Sequence, residues 1–243
     1  MEKKIAVTGE GPTDYGRETY DKGLTQWAWG PIRHLMDRCI ENYGQSDYPE
    51  FVAIHKQELK TAKLLRSDKK LEGLSIPARK FKNYCRENKL QYGVFYADAD
   101  KRESSGKTMR EARKHFEEVY SEVEKGLGGE EEKNFIPMIP LKMIENWLLA
   151  DEEAFQTCYR TSVKLPGAPE LIWGDKHNPD SDYPKHVMNR VLSQIKTKEN
   201  CNQQETFCEL ATTINIETLR EKCPISFERF YRDFGGLLQQ LTS

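Results

Sequence analysis

The sequence predicts an α/β fold: a parallel four-stranded sheet flanked by helices, followed by a helical C-terminal region. Three observations carry this. Short β-rich apolar runs occur at 5–8, 51–54, 93–97 and 135–139. Stretches of helical spacing separate them, which implies parallel strands covered on both faces. Beyond Tyr159 no convincing strand remains, and the pattern is helical.

The first run breaks at Gly9-Glu10-Gly11-Pro12, residues that allow a sharp turn, so Glu10 falls just past the strand's carboxyl end. Pro31 opens a helix to about Tyr43, with Ile32, Leu35, Met36 and Cys39 on one face. A second helix is expected over 77–88, and a long charged one over 108–127, stopped by Gly126, Gly128 and Gly129. Pro137 donates no ladder hydrogen bond, so the fourth run predicts an edge or distorted strand. One helix is expected over 144–159, with Ile144, Trp147, Leu148 and Phe155 at helical spacing. Residues 160–184 read as loop. Helical patterns follow at 185–198, 203–213 and 216–223, and Ser226 caps a last helix through Phe227, Phe230, Tyr231 and Phe234. The division expected is 1–157 for the α/β domain and 158–243 for a loop and helical region packed on it.

A formal net charge of −2 over 243 residues excludes a uniformly basic nucleic-acid coat, though not local patches. No apolar run is long enough to span a bilayer, and the N-terminus lacks a signal-peptide pattern. The six cysteines form no C-x-x-C pair and read as reduced thiols. The expected location is the cytoplasm, with no membrane partner.

The chemistry lies in where the acids fall. Glu10 and Asp14 follow the first strand, Asp98 and Asp100 the third, and Glu145 opens the helix after the fourth. Ligands of open α/β sheets bind beyond the strands' carboxyl ends, where strand order reverses. In a 2-1-3-4 order all five acids reach one rim. Carboxylates packed that closely repel one another, and a hard divalent cation such as Mg²⁺ or Mn²⁺ supplies the compensation. Each acid alone has a plain structural explanation: Asp14 as a helix cap, Glu145 as a first-turn residue favoured by the helix dipole. The coincidence of three strand ends outweighs those explanations.

Val7-Thr8-Gly9-Glu10-Gly11-Pro12-Thr13-Asp14 together with Phe95-Tyr96-Ala97-Asp98-Ala99-Asp100 resembles the TOPRIM (Rossmann-like) domain of topoisomerases, primases and OLD-type nucleases. Residues 143–151 and 223–230 resemble a TOPRIM-related group of bacterial proteins of unassigned function. The resemblance implies that Asp98, Asp100 and Glu145 hold Mg²⁺, with Asp14 supporting and Glu10 a ligand or general acid/base. The chain lacks the other domains of topoisomerases and primases. What the resemblance implies is therefore a stand-alone nuclease hydrolysing DNA or RNA, often an anti-phage effector, with room for an ATPase or other operon partner and for a homo-oligomer.

Lys101 and Arg102, directly after the D-x-D, are candidates to neutralise charge on the scissile phosphate, and Lys142 is a weaker one. Residues 56–90 hold eleven Lys/Arg against four acids. Lys56, Lys60, Lys63 and Lys70 fall near one face of an expected helix, and with Arg66 they form a candidate nucleic-acid surface. Residues 111–132 carry eight Glu, so the expected helix there should face solvent or a basic partner. Ser104-Ser105-Gly106-Lys107-Thr108 lacks the upstream glycine of a P-loop and reads as loop, as do His177 and His186. Trp27 and Trp29 read as core or interface. Two rival functions stay open: a phosphohydrolase or nucleotidyl transferase acting on a small phosphate compound, and a non-catalytic assembly partner.

Overall fold

The structure is a computed structural model that describes residues 3–21, 23–99, 108–129, 133–195 and 202–242. Four strands, β1 (Lys4–Thr8), β4 (Glu50–Ala53), β5 (Tyr92–Tyr96) and β6 (Phe135–Met138), form a parallel sheet in the order β4-β1-β5-β6. This is the expected order, with the first and third apolar runs side by side.

Alternation along the strands divides the core between the two faces. Ile5, Val7, Val94, Tyr96, Ile136 and Met138 point into one cluster, and Ala6, Phe95 and Phe135 into the other. The second face is covered by α3 (Ser75–Glu87) and α4 (Met109–Leu127), which pack on each other. Thr108 caps α4 by accepting from Glu111 N, while Glu111 reaches back to Thr108 N; Gly128 ends the helix at φ 118°. The acidic helix is amphipathic, with Ala112, Phe116, Val119 and Val123 inward. Beyond the cap, Glu122 accepts from Leu74 N, and Glu124 lies 3.9 Å from Arg229.

The first face is covered by α1 (Pro31–Asn42) and by the C-terminal helices α7 (Pro184–Leu192), α8 (Gln203–Thr213), α9 (Ile216–Lys222) and α10 (Phe227–Thr242). Trp147, fully buried, donates through Nε1 to Ser226 Oγ at 2.8 Å and meets Phe227 edge-on at 5.1 Å. Glu170, also buried, accepts from Ile225 N (2.9 Å), Ser226 N (2.8 Å) and the Ser226 hydroxyl. Burial raises its pKa, and those donors offset part of the rise. The loop after the α/β domain is thus fastened to the start of α10.

Two local expectations are corrected, and one hairpin was not expected. The single helix at 144–159 is two, α5 (Ile144–Leu148) and α6 (Glu152–Tyr159). Asp151 interrupts it by accepting from Glu153 N (2.9 Å) and Asn215 N (2.8 Å), bonds that replace helix continuation with a cap. The aromatic stretch before Pro31 is a hairpin of β2 (Gly16–Asp21) and β3 (Leu24–Trp29). The lysines expected along one helix are not on one: α2 spans only Lys56–Thr61 because Ala62 turns extended at ψ 128°. Lys63 lies beyond it, and Arg66 and Lys70 bound a separate 3₁₀ turn.

β6 is an edge strand, as Pro137 foretold. Asn134 and Met138 accept from Gly93 and Ala97, so Pro137 falls on the alternate phase and turns its nitrogen away from β5. No helix among the described residues is long and apolar enough to cross a membrane.

Replacing Glu170 tests how the C-terminal region is fastened. Glu170→Ala strands two backbone N–H groups and a hydroxyl and should lower unfolding free energy by about 3 kcal/mol. Glu170→Gln, which keeps one acceptor oxygen, should lose less. Urea denaturation of both variants checks this; an unchanged midpoint for the alanine variant would remove the role.

Candidate functional site

At the carboxyl end of β1 the Thr8 hydroxyl donates to Ile54 O at 2.9 Å, closing the strand against its neighbour. Gly9 follows, where a Cβ would lie 3.0 Å from the Tyr96 ring and 3.1 Å from Tyr15 Cβ. Glu10 is extended, and residues Gly11–Tyr15 form one π-helical turn. Its end is fixed by the Tyr15 hydroxyl, which donates to Val7 O at 2.8 Å. The chain returns at Gly30, where a Cβ would collide with the carbonyl of Asp14. Asp14 is therefore held by a turn and a close backbone crossing, and it caps no α-helix.

The segment after β5 continues along the extension of β6: Ala97 N donates to Met138 O at 3.3 Å and Ala99 N to Pro140 O at 3.4 Å. From α4, His115 Nε2 meets Ala99 O at 3.1 Å, so its proton sits on that nitrogen. These contacts fix Asp98. Asp100, Lys101 and Arg102 lie outside the described residues, as does most of the segment 104–108.

Tyr96, fully buried at the last position of β5, joins the two loops. Its hydroxyl donates to Asp98 Oδ1 at 2.7 Å and lies 3.2 Å from Asp14 Oδ2. One phenolic proton is thus placed between two carboxylates. Burial, followed by the charges of Asp14, Asp98 and Glu145, pushes the phenol well above its ordinary pKa, so it stays a donor. Glu145, in the first turn of α5, is 3% exposed.

Lys185, an exposed lysine near the start of α7, lies within electrostatic reach of this group. Burial acts to lower the pKa of the Lys185 ammonium, yet Glu145, Tyr183, Asp14 and Asp98 together raise it overall. Sequence reasoning missed both Lys185 and Tyr96. Lys185 belongs to no motif and reaches the site only through the packing of α7. Tyr96 reads in sequence as one more apolar strand residue.

Glu10 lies on the same rim but takes a different partner, Lys56, at 3.7 Å. Both line an adjoining cleft with Lys60 and Lys80. Of the candidate nucleic-acid residues, Lys56 and Lys60 border the site, whereas Lys63, Arg66 and Lys70 are not among those lining this cleft. Lys142 is fully buried, 5.1 Å from the Trp173 ring centroid. Trp27 and Trp29 pack on Tyr15, with centroids at 4.8 and 5.8 Å, and support the Asp14 turn.

As the side chains stand, no group of three or more His, Cys, Asp or Glu among the described residues could by itself hold a metal ion. The chemistry of the donor set suits a hard divalent cation all the same. Asp14 and Asp98 supply oxygens on either side of one hydroxyl, Glu145 is close enough to act on that hydroxyl, and carboxylates are the ligands such ions take.

No curated protein and no solved structure matches the chain. Residues 32–234 match the family described as Domain of unknown function (DUF4276). The matched span includes Tyr96, Asp98, Glu145 and Lys185, and begins after Glu10 and Asp14. Since it takes in most of the sequence, the chain belongs to the DUF4276 family.

Proposed function

We propose that this protein is a metal-dependent nuclease that hydrolyses phosphodiester bonds of DNA or RNA at the carboxyl ends of β1, β5 and β6. The observation that carries the reading is the sharing of the Tyr96 hydroxyl by Asp14 and Asp98, within the field of Glu145 and opposite Lys185. Further support comes from the strand order and from the D-x-D placement that resembles TOPRIM domains.

In this reading Asp14, Asp98, Asp100 and Glu145 hold Mg²⁺ or Mn²⁺. The bound ion supplies Lewis-acid polarisation of the phosphate and a lowered pKa for the attacking water. The chain's own groups do the rest. Tyr96 keeps the Asp14 and Asp98 carboxylates oriented by donating from a phenol that does not ionise. Glu10, half-exposed beside Lys56, is the base available for the water's proton. Lys185 offsets the negative charge of the acids and of the phosphate brought among them. Lys101 remains the candidate to neutralise charge on the scissile phosphate.

Asp98→Asn should fold as stably as the parent without metal, or slightly more so, because repulsion between the acids is relieved. Millimolar Mg²⁺ should raise the parent's melting temperature more than the variant's, and cleavage should fall by orders of magnitude. Tyr96→Phe should keep the fold and lose much of kcat. Melting curves with and without metal, run beside cleavage of labelled single- and double-stranded substrates, decide the matter. Intact cleavage by Asp98→Asn would end the nuclease reading.

Lys185→Gln removes the cation opposite the acids, so their pKa values should rise. The acid limb of the pH–rate profile should move upward. The sign for stability follows from the raised pKa of the lysine. Its contribution is present below the ordinary value of 10.5 and is lost as pH rises through the higher folded value. A pH–rate profile that does not move would detach Lys185 from the site.

A further inference from the structure

Beside the acid group lies a surface of the opposite character. A cleft of about 230 Å³ opens between α2, the start of α3 and the ends of β1 and β5. Its apolar lining is Leu59, Pro77 and Phe95; its charged lining is Lys56, Lys60 and Lys80, with Glu10 as counter-charge to Lys56. The spacing explains the arrangement. Lys56, Leu59 and Lys60 share one face of α2, and Pro77 and Lys80 share one face of α3, so each helix brings an apolar group together with a cation.

Glu10 matches Lys56, and Lys60 and Lys80 leave the lining of the cleft with surplus positive charge, which favours an anion. An inorganic anion alone would have no use for the apolar lining, while a purely apolar ligand would leave the lysines unmatched. A nucleotide satisfies both halves, presenting an apolar ring face and a phosphate a few bonds apart. The volume suits one base with its sugar and is too small for a stacked base pair. A base inside a duplex would have to be unstacked and unpaired before entering, whereas a single strand offers it freely.

We infer that the cleft seats one unpaired nucleotide of a single-stranded nucleic acid, the base against Leu59, Pro77 and Phe95 and the phosphate on Lys60 and Lys80. This rests on the nuclease reading and adds to it a substrate class: the strand presented to the acids is single. Lys80 joins the binding residues, while Lys63, Arg66 and Lys70 are not needed at this site.

The test is binding in EDTA, where metal-dependent cleavage is suppressed. Two probes are used: a single-stranded oligonucleotide carrying one 2-aminopurine, and a blunt duplex of equal length. The parent should bind the single strand more tightly than the duplex, and 2-aminopurine fluorescence should rise as the base leaves its neighbours. Lys60→Gln with Lys80→Gln should abolish the strand preference and the fluorescence rise. Losing two phosphate contacts should also flatten the log–log salt dependence by about 1.4 units. Arg113→Gln with Lys114→Gln, an equal charge change on the exposed side of α4, should leave the preference and the fluorescence rise in place. A nucleoside monophosphate should displace the oligonucleotide at lower concentration than inorganic phosphate does. The inference is overturned if the parent shows no preference for the single strand, if the Lys60/Lys80 variant keeps the parent's slope and preference, or if phosphate competes as well as the nucleotide. Cleavage by the parent in Mg²⁺ is scored separately, so the cleft can fail while the nuclease reading stands, and the reverse.

Discussion

Thr8 pairs with Phe95 across β1 and β5, and that register decides where the chemistry can gather. Parallel neighbours end at the same level, so the chain leaves both strands on one rim, through Gly9-Glu10 on one side and Ala97-Asp98 on the other. The buried phenol at the last position of β5 then has carboxylates within reach from two separate loops. Were β1 and β5 separated by another strand, Asp14 and Asp98 would stand about a further strand spacing, some 5 Å, apart, and one hydroxyl could not serve both.

The C-terminal region is part of this arrangement. α7 carries Lys185 into the field of the acids, and Glu170 together with Trp147 ties the beginning of α10 to the loop and helix beside Glu145. Residues 143–151 and 223–230 are in direct contact through Trp147, Ser226 and Phe227. Their pairing unites two stretches far apart in the chain into one support for the rim.

The sheet was legible because β1, β5 and β6 are buried on both faces and so read as short apolar runs, β4 at the edge being half-buried but still apolar, and their order followed from placing the first and third together. The hairpin Gly16–Trp29 was not legible. Its outer residues, such as Tyr20 and Leu24, face solvent, so no apolar alternation marks it; only Trp27 and Trp29, two apart, carry the strand period. Helical spacing continues through Asp151 because spacing records which residues are buried and is silent about a side chain capping its own backbone. For the same reason the lysines after Thr61 looked continuous with α2, though the backbone turns extended at Ala62. Of the candidate site, the placement of Glu10, Asp14, Asp98 and Glu145 at one end of the sheet was legible from their position after strands. Tyr96, Lys80 and Lys185 were not, since each matters only through what the fold sets beside it.

Pro137 has a consequence for how copies of this protein can associate. Its nitrogen points to the outer side of β6, where an added strand would require a donor, and α10 packs against the same strand. A strand added at this edge would lack a ladder donor whatever the stability or concentration. The opposite edge, β4, carries no such proline, so the two sides of the sheet differ in what they offer a second copy.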